Sequence, residues 1–199
     1  MNTWNFDGPE LTSDNDHDVR QLSSKLKGKK IALFITASIA AYRTPDLVRE
    51  FRRHGAEVRV FATPSALDFV SSQSIEWTSL RHVVSSLSAD AEHLEGDFSY
   101  DLFLVSPASY NTINKMALGI ADNAVTTALA SAIGCLEQRQ TPIAIAPCMN
   151  GIMHNSILIE SMQKLQSIGC SFIKPRQEDG KNKLPEISVI LDFCCHLMD

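Results

Sequence analysis

The 199-residue chain lacks the glycine patterns that mark the common nucleotide sites. There is no GxGxxG and no GxxxxGKS/T, so a classical dinucleotide fold or a P-loop is not expected. It has no CxxC pair. Its cysteines (Cys135, Cys148, Cys170, Cys194, Cys195) are odd in number and sit in apolar surroundings, as reduced cytosolic thiols do. No His/Cys pair has zinc-ligand spacing, so no metal is expected. An excess of positive charge is also missing. A net charge of −5 argues against nucleic acid as the main partner. No apolar run is long enough to span a bilayer, and the polar N-terminus has no secretory h-region. These features lead us to expect a cytoplasmic protein without a membrane partner. There is no internal repeat.

What is present is an alternation of apolar strands and capped helices. Residues 1–28 are polar and without apolar period, and read as a flexible or loosely docked tail. From Lys29 to the end we expect a single domain. "KKIALFI" reads as a strand buried on both faces. "TPDLVREFRRHG" has Pro at its start, helical spacing and a terminal Gly, and reads as a capped helix. Strands are expected at "AEVRVFAT", "YDLFLVSP", "TPIAIAP" and "CSFIKP". Helices are expected at "PSALDFVSS", "YNTINKMALGIA", "DNAVTTALASAIGCL", "IMHNSILIESMQKLQSIG" and "EISVILDFCCHL". Residues 73–97 are ambiguous. Alternation of this kind predicts an α/β protein with a parallel sheet.

In such sheets, ligands bind beyond the carboxyl ends of the strands. Four strand ends are rich in small or amide-bearing residues: Thr36–Ala40, Thr63–Ala66, Ser106–Thr112 and Pro147–Met153. Thr36, Ser38, Thr63 and Ser65 either cap the following helix or hold a single phosphate, which suits a mononucleotide such as FMN better than NAD. Asn111 either caps a helix or bonds a ligand carbonyl or carboxylate. Asn150, followed by Gly151, is a turn residue or a ligand contact. His93, in the polar stretch "DAEHLEGDFSYD", is either solvated or a proton-transfer group. The other five histidines have no comparable context. No Ser-His-Asp order or nucleophile elbow is visible.

Several of these stretches together resemble one family. "PASYNT" resembles the PASANT motif of the flavin-containing cysteine decarboxylases, and "PCMNGIM" resembles their PxMNxxM motif. "TASIAAYRTPDLVREFRRHGAEVRV" is similar to the opening of their phosphopantothenoylcysteine decarboxylase members. "GIADNAVTTALA" matches the segment that follows PASANT. The likeness runs from about Lys29 to Pro175. It implies a flavodoxin-like or Rossmann-like three-layer fold that binds FMN between subunits, in trimers or in dodecamers built from them. It implies oxidation of a cysteinyl thiol to a thioaldehyde, an electron sink that lets the adjacent carboxylate leave as carbon dioxide. Carried over by position, His93 is the catalytic histidine, and Asn111 keeps flavin and substrate in register. Asn150 binds the substrate carboxylate, with Met153 beside it. Thr36, Ala37, Ser38, Thr63, Ser65, Ala108, Ser109 and Cys148 lie on the FMN.

The chain departs from the family pattern in two places. The segment "RQEDGKNKLPE", Arg176–Glu186, where a substrate clamp belongs, looks shortened and has no Cys. In coenzyme A enzymes a clamp Cys donates a proton during the final reduction. Tyr110 replaces a small Ala, and either crowds the site or opens a helix against a neighbouring subunit. No ligase-like half follows residue 199, so a form with the decarboxylase activity alone is expected. The leading substrate is phosphopantothenoylcysteine. The alternatives are an oxidative peptidyl-cysteine decarboxylase and an FMN-binding redox or regulatory subunit that decarboxylates nothing.

Overall fold

The computed structural model describes residues 5–8, 10, 15–94 and 99–199. Along the chain run β1 (Lys30–Ile35), α1 (Thr44–Arg53), β2 (Glu57–Ala62), α2 (Ser72–Ser79), β3 (Leu102–Ala108), α3 (Tyr110–Leu118) and α4 (Ala124–Arg139). Then follow β4 (Ile143–Pro147), β5 (Met149–Asn150), α5 (Ser156–Ser167), β6 (Ser171–Phe172), β7 (Arg176–Glu178), β8 (Lys181–Lys183) and α6 (Ile187–Met198). Among the described residues, five strands pair in parallel in the order β2-β1-β3-β4-β6.

Side-chain alternation along β1 explains the layers. Ile31, Leu33 and Ile35 pack with Leu47 and Phe51 of α1 and with Ile190 of α6. Ala32 and Phe34 point the other way, into a core with Ile113 of α3, Leu129 of α4 and Leu158 of α5. Each face of the sheet is covered by helices, so the strand has no solvent side and reads as an unbroken apolar run. This is the three-layer α/β fold expected from the sequence. After β2 the chain returns past β1 to form β3. The strand order therefore reverses between β1 and β3, where a crevice opens beyond the carboxyl ends.

Most element boundaries follow local chemistry. Helix α3 ends at Gly119, in the left-handed region at φ 70°, and α4 starts in a capping box between Asn123 and Thr126. Two expectations need correction. The helix expected at 64–72 is a single 3-10 turn, Pro64–Ala66, and the helix lies at Ser72–Ser79. Ala66 and Val70 reach the core while Phe69 stays exposed, so a tight turn already provides the burial a helix was expected to supply. The helix expected from Ile152 starts instead at Ser156, because Asn155 Oδ1 accepts the Leu158 N–H at 3.2 Å and caps it there.

The sequence pattern changes at Lys29, but contacts reach further back. Leu26 is buried, and its N–H donates to His54 O at 2.9 Å. Ser23 Oγ meets His54 Nδ1 at 2.6 Å, and Arg52 donates to His17 O at 3.0 Å. Gly55, at φ 95°, lets this arm pass: a Cβ there would stand 2.9 Å from Lys27 Cα. No helix among the described residues is long and apolar enough to cross a membrane.

Candidate active site

The loops after β1, β3 and β4 are tied together by two hydroxyls. Thr36 is fully buried. Its Oγ1 donates to Pro107 O at 2.7 Å and accepts from Ser109 N at 2.8 Å, joining the end of β1 to that of β3. Ser38 accepts from Ala40 N at 3.3 Å and donates to Cys148 Sγ at 3.4 Å, joining the β1 loop to the end of β4. Ser109 caps α3 through Thr112 N. Much of the small, polar character of these loops is thus spent on holding three strand ends in register.

Above them lies an open cleft of about 530 Å³, within the usual range for a cofactor or substrate site. The β1 loop contributes Ala37 to Ala40, Tyr42 and Arg43. The other loops contribute Ser109, Tyr110, Cys148, Met149, Asn150 and Met153. The far wall is Arg176 and Lys181 to Leu184. Its charged residues, among those described, are all cations: Arg43, Arg176, Lys181 and Lys183. Arg43 pairs with Glu186 at 2.9 Å, and Arg176 contacts Glu178 and Glu186. Lys183 pairs with Asp179 at 2.9 Å and Glu178 at 3.2 Å. The hydrogen bond between them holds the Asp179 carboxyl below the usual carboxylate range and moves Lys183 upward.

The far wall is a β-hairpin. Asp179 and Gly180 both have positive φ, 52° and 67°, as a two-residue type I′ turn requires. Strand β8 pairs with both β7 and β5, so Asn150 faces Lys181 and Met149 faces Asn182. Gly151 N donates to Gly180 O at 3.0 Å. Asn182 is buried, with its amide 3.1 Å from His154 Nδ1. The segment that looks shortened in sequence is therefore an ordered flap on the cleft. Arg43, Arg176, Lys181, Asn182 and Lys183 were not expected there. Asp-Gly between two short polar runs is the signal that could have found the hairpin.

The structure brings together Ala37, Ser38, Ser109, Cys148, Asn150 and Met153. Thr36 and Ala108 are buried in the strand ends that support them. Asn150 caps the 3-10 turn Gly151–Met153 through Ile152 N at 3.1 Å. Tyr110 opens α3, lines the cleft and reaches Asn155 Oδ1 at 3.4 Å. Four further expected residues also lie outside the cleft lining. Thr63 Oγ1 is buried without a hydrogen-bond partner among the described residues, and Ser65 is exposed. Asn111 is exposed on the first turn of α3, where Ser109 is the cap. His93 sits in a 3-10 turn, Glu92–Leu94, packed on α4. Its Nδ1 is buried and has no partner among the described residues. Glu92 beside it accepts from Ser88 N and Oγ, at 2.9 and 2.7 Å, and these bonds lower its pKa.

All five cysteines are free. Burial pushes Cys170 up to about 11 and also raises Cys194, which suits core thiols rather than reactive ones. No group of side chains that could hold a metal occurs among the described residues.

The pattern characteristic of the Flavoprotein family matches residues 19–199. The chain belongs to the Flavoprotein family. It is 40% identical over 174 residues to the coenzyme A biosynthesis bifunctional protein CoaBC of Thermococcus kodakarensis, covering 85% of this chain and 42% of that one. It is 38% identical over 136 residues to CoaBC of Escherichia coli, covering 66% and 32%. The chain spans about two fifths of the length of the first of these relatives. Among solved structures, this Flavoprotein member resembles a PPC decarboxylase variant complexed with pantothenoylaminoethenethiol. The TM-score is 0.70 at 25% identity, over 83% of this chain and 96% of that one. It also resembles the peptidyl-cysteine decarboxylase EpiD, with TM-score 0.71 at 27% identity, over 83% and 97%. The cysteine decarboxylase SpaF, at 21% identity and TM-score 0.74 over 87% and 98%, shares the fold.

Proposed function

We propose that this Flavoprotein member is an FMN-dependent carboxy-lyase acting on a cysteinyl substrate, with phosphopantothenoylcysteine as the substrate and coenzyme A biosynthesis as the setting. The observation that carries the reading is the cleft at the β1/β3 reversal, with the PxMN-like loop and the PASANT-like loop on its walls. The likeness to the CoaBC proteins supports the choice of substrate.

The residues present fit FMN. The cleft has hydroxyls at Ser38 and Ser109, an apolar wall from Ala37, Met149 and Tyr110, and cations without carboxylates among its described lining. That donor set suits an anion attached to a flat apolar ring. Ala37, Ser38, Ser109 and Cys148 would hold the cofactor, with Thr36 and Ala108 fixing the strand ends behind them. When bound, FMN supplies the two-electron oxidation of the thiol that makes the neighbouring carboxylate a leaving group. The chain's own part is to orient the substrate. In this reading Asn150 turns its amide toward the substrate carboxylate, Met153 borders it, and His93 moves a proton.

The reading extends to a homo-oligomer, a trimer or a dodecamer built from trimers. The cleft carries exposed Ile39 and Tyr42, and His93, Asn111, Thr63 and Ser65 stand outside the lining of one chain's cleft. Light scattering on the purified protein gives the subunit number. A cytoplasmic location goes with five free thiols, and cell fractionation tests it. The division into a flexible tail over 1–28 and a domain over 29–199 is proposed, with the end of that tail, His17–Gly28, resting on the domain, and limited proteolysis tests it.

One experiment decides the reaction. The protein is purified, examined for the yellow colour of FMN, and supplied with phosphopantothenoylcysteine. Release of carbon dioxide with a saturated thiol product is expected. An enethiol product instead favours the oxidative peptidyl-cysteine reading, which the absence of a Cys between Arg176 and Glu186 supports. Bound FMN with no carbon dioxide from any cysteinyl substrate leaves the redox or regulatory subunit.

A further inference from the structure

The four cations on the cleft are not equivalent. Arg43, Arg176 and Lys183 all have their charge balanced by Glu178, Asp179 or Glu186. Lys181 lines the same cleft and makes no ion pair among the described residues. It is also held in place. Its strand is pinned on one side to Glu178 of β7 and on the other to Asn150 of β5, and the turn before it is bonded to Gly151. Glu178 faces Lys181 across the hairpin, yet its oxygens are taken by Lys183 and Arg176, at 3.2 Å each. The flap therefore offers one ammonium ion that makes no ion pair among the described residues, although it lies within reach of the Asp179 charge, in a cleft that lacks carboxylates among its described lining.

We propose that Lys181 is the anchor for a phosphate monoester at the non-reacting end of the substrate, and so decides that this site takes a phosphorylated rather than an unphosphorylated thiol. This inference rests on the decarboxylase reading above for its substrate, but not for the charge pattern that motivates it. Two anions could meet an ammonium ion here, the carboxylate that leaves and a remote phosphate. An ammonium ion on the departing carboxylate would stabilise the ground state more than the transition state, since the carboxylate loses its charge as carbon dioxide forms. A neutral amide such as that of Asn150 suits that end better. A phosphate keeps its charge of about −2 throughout, so binding it tightly costs nothing at the reacting centre. The lysine acts as a point charge at the end of a flexible stem, which suits a phosphate that turns freely in an open cleft.

The test compares phosphopantothenoylcysteine with pantothenoylcysteine. For the native protein, kcat/KM should favour the phosphorylated compound by at least about tenfold, the scale of one charge-assisted hydrogen bond. In Lys181→Met that ratio should collapse toward unity, through KM, and Lys181→Arg should restore most of it. Calorimetric titration with phosphopantetheine and with pantetheine gives the same comparison without turnover. If the native protein does not distinguish the two compounds in either assay, the lysine has no such role, even with normal decarboxylation. If Lys181→Met weakens both compounds equally, the lysine holds a group common to them and the proposal is overturned. If neither compound is decarboxylated but phosphopantetheine still binds in preference through Lys181, the anchor stands and the decarboxylase reading falls.

Discussion

The backbone of Gly151 lies against the carbonyl of Gly180. Its N–H donates to Gly180 O at 3.0 Å, and a Cβ built on Gly151 would stand 2.3 Å from that oxygen. The glycine of the PxMN-like loop is therefore what lets the β7–β8 hairpin close on the cleft. Gly151→Ala forces two pieces of backbone apart and breaks their hydrogen bond, at a cost of about 1–3 kcal/mol. We expect a lower denaturation midpoint, and faster amide exchange at Asn182 and Lys183 than in the native protein. Unchanged exchange across β8 would show that the hairpin docks without this contact.

That hairpin also marks where sequence reading stops. The parallel sheet was legible because each central strand is a run of apolar residues bounded by turn chemistry, and burial on both faces allows little else. Ser38, Cys148 and Asn150 converge because each stands just past the end of such a strand, so sheet order alone brings them together. Arg176 to Lys183 have no apolar pattern. Their order comes from a turn type and from contact with Gly151, about thirty residues earlier in the chain. Helix α2 escaped notice for a related reason: its Ser71 makes no side-chain cap, and only Ile75, Thr78 and Ser79 are buried. His93 stands out only through the likeness to the family, and nothing local indicates what its buried Nδ1 should bond.

Thr36 provides a second test of how the site is held. Its hydroxyl serves Pro107 O and Ser109 N at once, in a position with no access to water. Thr36→Val keeps the shape and orphans both groups, so about 1–3 kcal/mol of stability should be lost in urea denaturation. Thr36→Ser should recover most of it. A valine variant as stable as the native protein would mean that the β1 and β3 ends are held by the sheet alone.

Cys170 makes the stability depend on pH. Burial favours its neutral thiol, so its pKa in the folded protein rises to about 11, against about 8.5 when unfolded. The contribution is complete below the unfolded value and is lost as pH rises through the folded one. Between those values the native protein should lose stability by up to ~1.4 kcal/mol per pH unit from this thiol. Buried Cys194 acts in the same direction. Denaturation midpoints of Cys170→Ala should therefore fall less steeply with pH than those of the native protein. Parallel curves would show that Cys170 ionises as easily folded as unfolded.

His93 carries the sharpest consequence for the chemistry. It sits in a turn that lies against α4, with Nδ1 buried and no partner among the described residues, and the described bonds of that turn are to Ser88, Ala91 and Glu92. A buried acceptor or donor left open in this way is costly unless something binds it. His93→Asn keeps a polar group of similar reach but cannot exchange a proton near neutral pH. Carbon dioxide release should fall by ~100-fold or more, while the circular dichroism spectrum and the subunit number stay as they are. Turnover that survives the substitution would remove His93 from the reaction. The buried nitrogen would then have to be explained by packing alone.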